Sequence, residues 1–319
     1  MKPAADHPMD EFPVRALRFD VDAIENQEPV WSRTSPKFAV FVNALGVHVP
    51  YFERYLISAM RKARPQVQDK ELVQDMTRII GQEANHARNF VAVNALLARR
   101  YPKVARFDAD AKACFAKHAE AGSLKRRVGF TAGYETITFL AGLNILDNYQ
   151  EWLEDSDPVM KAMWVWHQVE EVEHGSVAFN VYKHLYGEHE LYRKWMVSYA
   201  RVHIALETVR GYGHMARLEG WLRNPVKAVA TMHHGHQGPG APSVCADSTA
   251  GHAALVGHLS HARLHALRCA TRMAMSMFSA ISTTQRLCTG IATATATATA
   301  GRRLPTWAQA APVRRAPCA

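Results

Sequence analysis

Two short stretches hold the residue types from which metal chemistry is built. GQEANHARNF sets Glu83 and His86 three residues apart, and WHQVEEVEHG repeats the spacing with Glu171 and His174. Residues three apart share a helix face, so each pair presents a carboxylate and an imidazole to the same point. Two such ExxH pairs on separate helices form half of the dimetal carboxylate site of helical bundles, which also takes one inward glutamate from each of two further helices. The sequence supplies both. Glu53 stands in VPYFERYL, and Glu135 is the only acid in the apolar stretch GFTAGYETITFLAGLNIL. Four glutamates balance two divalent cations, whereas four carboxylates packed together without a cation would be very costly.

The residues around the second pair extend the set. HQVEEVEHG lies between MWVW and SVAFNVY, an apolar setting in which uncompensated acids need protons, cations or metal. His167 precedes Glu171 by four and His174 by seven, so HxxxExxH puts all three on one helix stripe and makes His167 a seventh candidate ligand. Glu170, also one turn from His174, is read as an outer acceptor that orients a ligand, and Tyr134 as an outer neighbour of the centre. Glu173 is expected to point elsewhere.

Positioning these side chains requires long helices, and helical periodicity runs from about Lys37 to Asn224 without the sustained alternation of an exposed sheet. Pro50 opens a helix that Arg64-Pro65 closes, and a long one runs from near Asp69 to Pro102. A shorter helix is expected over 108–121. Another runs from Gly122 to about Asp155, one from Asp157-Pro158 to Gly187, and a last one over 191–222. His203, Glu207, Arg210 and His214 fall on one stripe of that last helix and read as a surface ion-pair ladder. The expected fold is all-α: a four-helix bundle with additional helices over 36–231, preceded by an N-terminal extension, 1–35. Residues 232–319, with HHGHQGPGAPS and repeated Ala-Thr, read as a low-complexity, largely disordered basic tail.

Charge supports this division. The formal net charge is +9, but from Gly235 onward there are eight arginines, no lysine and one acid, a net of +7, which leaves +2 for residues 1–234. The body is nearly neutral, so no nucleic-acid partner is expected. The five cysteines, at 114, 245, 269, 288 and 318, form no CxxC pair, which points to a reducing cytoplasm rather than a disulfide framework. The N-terminus lacks the apolar core of a signal peptide, and no run reaches the ~18 apolar residues of a membrane span.

Residues 36–224 resemble the ferritin-like family of predicted metal-dependent hydrolases through VPYFERYL, GQEANHARNF, YETIT and WHQVEEVEHGSVAFNVY. The pattern Glu53, Glu83, His86, Glu135, His167, Glu171, His174 is also similar to that of di-iron arylamine N-oxygenases, whose last metal helix contributes an extra histidine. The sequence departs from both after Thr231. Two divalent transition metals are expected, iron first and manganese as the alternative. The surround expected from Phe130, Tyr134, Phe139, Leu140, Phe179 and Tyr182 is dry and aromatic, which favours O2-dependent oxidation of a small organic substrate. That chemistry would need an electron donor. The alternative is hydrolysis at the same centre, as the first family's label implies, and a third reading is iron oxidation or binding. An oligomer is compatible with each.

Overall fold

The computed structural model describes residues 12–24 and 27–221. Nine α-helices are present among them: α1 (Pro36–Gly46), α2 (Val49–Ala63), α3 (Lys70–Arg100), α4 (Val104–Ala121), α5 (Leu124–Asp147), α6 (Tyr149–Trp152), α7 (Pro158–His174), α8 (Val177–Tyr186) and α9 (Glu190–Leu218). The only extended pairing among the described residues is one isolated bridge, Ser32 to Ser156. The expected all-α class is observed. The basic tail, 232–319, lies outside the described residues.

Local chemistry starts the helices where the sequence indicated. The Asp69 carboxylate accepts from the amides of Glu71 and Leu72 at the head of α3, and Asp157 accepts from Val159 and Met160 at the head of α7. Pro158 fills the first turn of α7, where no amide is needed. Four boundaries differ from expectation, the last helix ending at Leu218 rather than 222. The short fourth helix begins at Val104 rather than near 108. The helix expected to reach Asp155 stops at Asp147, where Asn148 turns its side chain back onto the Asn144 carbonyl, and only α6 continues it. The helix expected from Pro158 to Gly187 is interrupted after His174. A Cβ at Gly175 would lie 2.6 Å from the Phe139 ring, so only glycine allows α5 and α7 to approach there.

The four ligand-bearing helices cross between two apolar clusters. One contains Phe38, Val40, Phe90, Leu97, Met163 and Trp164; the other contains Phe52, Leu56, Met76, Ile79, Phe130 and Val181. Along α3 the order is Ile79, then Glu83 and His86, then Phe90. Along α7 it is Trp164, then His167 to His174, leading to Val177 at the start of α8. The two helices therefore run in opposite directions past a polar layer held between two dry ones. α9 closes the outside against α5, and Gly133 permits it: a Cβ there would meet the Met196 carbonyl oxygen at 2.7 Å.

The N-terminal extension lies against this bundle. Phe12, Val21, Ile24 and Trp31 are buried. Asn89 on α3 donates to the Leu17 carbonyl and accepts from the Phe19 amide, and Trp31 and Arg33 exchange backbone bonds with Asp157 and Asp155. No helix among the described residues is long and apolar enough to cross a membrane.

Candidate metal centre

The structure brings all seven candidate ligands into one buried layer. Glu53 comes from α2, Glu83 and His86 from α3, Glu135 from α5, and His167, Glu171 and His174 from α7. None is more than 4% exposed. The ion-pair partners of the four carboxylates are the three histidines, and the distances fall around two poles. At the first, His86 Nδ1 lies 3.8 Å from Glu53, 3.7 Å from Glu83 Oε2 and 3.7 Å from Glu171 Oε1, while His167 Nε2 lies 3.6 Å from Glu53 and 3.1 Å from Glu171 Oε1. At the second, His174 Nε2 lies 3.0 Å from Glu83 Oε1, 3.2 Å from Glu135 and 3.6 Å from Glu171 Oε2. Glu83 and Glu171 each direct one oxygen to either pole. Two ligands bonded to one cation at ~2.1 Å are separated by about 3.0 Å at a right angle and about 3.4 Å at a tetrahedral angle. The observed spacings bracket those values.

Satisfaction tests the same fit. Both oxygens of Glu53, Glu83 and Glu135, together with Glu171 Oε2, His86 Nδ1, His167 Nε2 and His174 Nε2, are buried without a geometrically acceptable hydrogen bond. So many inward polar atoms would cost heavily unless a cation completed them. Glu53, His86, His167 and Glu171 could hold one ion, and Glu83, Glu171 and His174 another.

The proton balance shows the same deficit of positive charge. Burial and the neighbouring carboxylates Glu83, Glu171 and Glu135 push Glu53 well above the ordinary carboxylate range. Burial raises Glu135 to about 8 despite the opposing pull of His174. His86 and His174 go the other way from the usual buried histidine. Burial lowers both, but the acids around them outweigh it, so His86 rises to about 9 and His174 rises well above its ordinary value. Without a cation the cluster recruits protons in its place.

Behind the histidines stands a second layer of polar contacts. The Gln82 amide donates from Nε2 to Glu173 and to the Pro13 carbonyl, both at 3.1 Å, which turns its oxygen to accept from His174 Nδ1 at 2.9 Å. One proton of His174 is thereby held on Nδ1, so Nε2 is the nitrogen turned to the centre, and it would offer its lone pair once a cation replaced its own proton. His86 Nε2 donates to Glu170 at 2.9 Å, leaving Nδ1 inward. One guanidinium joins the two arrangements: Arg15 donates to both oxygens of Glu173 at 2.7 Å and to Glu170 at 3.1 Å. Glu170 thus serves His86 rather than His174. Glu173, expected to point elsewhere, is buried in this network. Neither Arg15 nor Gln82 was marked by spacing.

His167 differs from the other two histidines. Its Nδ1 faces the Gln168 amide nitrogen at 2.7 Å, which leaves the proton on Nε2, toward Glu171. Turning that amide would present oxygen instead and free Nε2 as a lone-pair donor. Tyr134 directs its hydroxyl to His203 Nδ1 on α9 and not to any of the seven. Within the expected ladder, Glu207 and Arg210 do pair, and Arg210 also reaches Asp110 on α4, but His203 turns inward to Tyr134 and His214 accepts from the Lys103 amide.

A cavity of about 50 Å3 adjoins the first pole, between α2, α5, α7 and α9. It is lined by Glu53, His167 and Glu171 on one side and chiefly by Val49, Phe52, Ile137, Ala141, Trp164 and Ile204 on the other. Of the six residues expected to form the surround, Tyr134 alone lines it. Phe130 and Tyr182 belong to one apolar cluster, Phe139 packs on Gly175, and Phe179 lies under the Arg193 guanidinium. Sequence proximity to a ligand did not reveal which face of the helix each aromatic occupies.

An all-helical protein with a buried carboxylate–histidine cluster suited to divalent cations is the class these features define. The family described as "predicted metal-dependent hydrolase" matches residues 13–247, and the chain belongs to it. The match begins within the N-terminal extension and continues beyond Thr231, where the sequence had shown no further resemblance. No curated protein and no solved structure matches the chain.

Proposed function

We propose that the protein is a dimetal-dependent hydrolase of a small organic substrate. Glu53, His86 and His167 would hold one divalent transition metal and Glu135 and His174 the other, with Glu83 and Glu171, which face both poles, available to either. The observation that carries the reading is the division of the Glu83 and Glu171 oxygens between two histidine poles. When bound, such metals polarise the scissile group and lower the pKa of water. The chain's own residues set the geometry. Gln82 and Glu170 fix the histidine rings, and the apolar wall formed by Phe52, Ile137 and Trp164 keeps bulk water from the first pole. Family membership favours hydrolysis over the O2-dependent oxidation expected from the seven-residue pattern.

Metal analysis and turnover of the full chain test the proposal. About two metals per chain are expected, with ester or amide hydrolysis persisting under anaerobic conditions when both sites hold redox-inert zinc. Absence of bound metal would remove the centre. Turnover that required oxygen and a reducible metal would restore the oxidative reading.

A further inference from the structure

We propose that the cavity beside the first pole is the substrate site, that it selects small uncharged acyl compounds, esters or amides, and that His48 is their hydrogen-bonding contact. This inference rests on the hydrolase reading and gives it a substrate class. His48 stands immediately before α2 and lines the cavity, 3% exposed, with Nδ1 buried and unpartnered. Trp164 lines the same space, 1% exposed, and its indole N–H is likewise buried without an acceptor. Two unsatisfied polar groups beside one cavity are costly in isolation and are completed by a ligand that supplies hydrogen-bonding atoms.

Charge narrows the class further. No lysine or arginine lines the cavity; its ionisable lining is Glu53, His167 and Glu171 of the centre, with His48 and Tyr134. Burial, reinforced by nearby His203, depresses His48 to about 3, so it is a neutral imidazole at physiological pH. A phosphate ester or carboxylate would find no lysine or arginine there, and because the four glutamates already balance two divalent cations, a further anion would leave the buried site with net negative charge. An uncharged acyl group loses little on entering the Val49, Phe52, Ile137 and Ile204 walls.

The zinc-loaded full chain is titrated with acetamide and with acetate, matched in size to the small cavity and differing in charge, by ligand-detected NMR. Acetamide should bind, and acetate should bind more weakly or not at all. His48→Leu should weaken acetamide about tenfold, the effect of one lost hydrogen bond. His48→Asn, which places an amide near the Nδ1 position, should recover most of it. Ala141→Phe should abolish binding by filling the space. Should that variant fail to fold, Ile137→Ala, which enlarges the space, should shift preference from acetamide to butyramide. Acetate binding as tightly as acetamide, or acetamide indifferent to these substitutions, overturns the inference. Zinc content is measured on the same samples, and the titration is repeated without metal. A chain that takes up no zinc removes the hydrolase reading while the metal-free titration still reports on the cavity. A zinc-bound chain whose acetamide affinity ignores His48 and the cavity walls removes this inference alone.

Discussion

The two sides of the centre are built on opposite principles. On the side of α3, the outer face of α7 and the N-terminal extension, polar groups are paired: His86 with Glu170, His174 with Gln82, and Glu170 and Glu173 with Arg15. On the side of α2, α5 and α9 the wall is apolar, and His48 Nδ1 and Trp164 Nε1 have no partner. A buried unsatisfied donor or acceptor costs about 1–3 kcal/mol, and although Trp166 Nε1, packed beside His86 and Phe19 on the first side, is also unpartnered, only on the second side do such groups belong to residues that line a cavity. The difference teaches a division of labour: the satisfied side orients ligands, and the unsatisfied side is shaped to be completed by something that enters.

Removing the centre itself should produce the largest effect. Glu171 faces both poles, so Glu171→Gln is expected to abolish binding at one metal position and to weaken the other at least 100-fold, as read by equilibrium dialysis. Glu53→Gln, at the carboxylate that burial and its neighbours push well above the ordinary range, should by contrast stabilise the metal-free protein, because it removes the most disfavoured of the four crowded charges. A metal-free variant less stable than the metal-free parent would show that the cluster is not starved of positive charge.

Next comes the satisfied side. Arg15→Ala leaves Glu170 and Glu173 without their shared cation. A fully buried pair broken in this way costs ~3–5 kcal/mol, and because the Arg15 side chain is 32% exposed the expected loss is nearer about 2 kcal/mol. Metal affinity should fall about 10–100-fold, although Arg15 touches none of the seven ligands. Denaturant titration and metal competition measure the two effects separately. Unchanged metal affinity would reduce the Arg15 network to a packing device.

The unsatisfied side should reveal itself through pH. Burial, with nearby His118, lowers His203 to about 4. A histidine depressed in the folded state contributes stability that is present above its unfolded value near 6.5 and is lost as pH falls toward the folded value. The stability difference between the parent and His203→Gln should therefore shrink or reverse between about pH 6.5 and 4, a window set by these two pKa values. Thermal midpoints across that range test it, and parallel curves would show that His203 is not held neutral by burial.

These contrasts also explain what the sequence could disclose. The order Glu53, Glu83–His86, Glu135, Glu171–His174 was legible because helical spacing turns sequence distance into direction, and α2, α3, α5 and α7 kept their continuity through each ligand. The breaks at Asn148 and Gly175 were not, since they depend on a side chain folding back and on a ring packed from another helix. Arg15 was invisible for a different reason. Its partners lie 155 and 158 residues away, and an arginine in an irregular segment has no period. His48 likewise gave no signal, because an unpartnered nitrogen is a property of the surrounding fold.

The smallest expected effect tests where the two sides meet, at His167. This residue belongs to the first pole, yet it also lines the cavity, and its Nδ1 contact with Gln168 places the proton on the nitrogen that would have to bind metal. If His167 is a ligand, the Gln168 amide must present oxygen in the loaded protein. Gln168→Glu then offers a permanent acceptor, makes the imidazole a better donor, and should tighten cobalt binding by up to about tenfold. Gln168→Leu should loosen it to a similar degree. Both should shift the visible absorption of the cobalt-loaded protein, which reports donor strength directly and is insensitive to general packing. If His167 instead donates from Nε2 to Glu171, Gln168→Glu loses the Nδ1 contact without gaining a ligand, and the cobalt spectrum stays as in the parent. That result would leave the first pole with His86 as its only nitrogen donor and would assign His167 to the wall of the cavity.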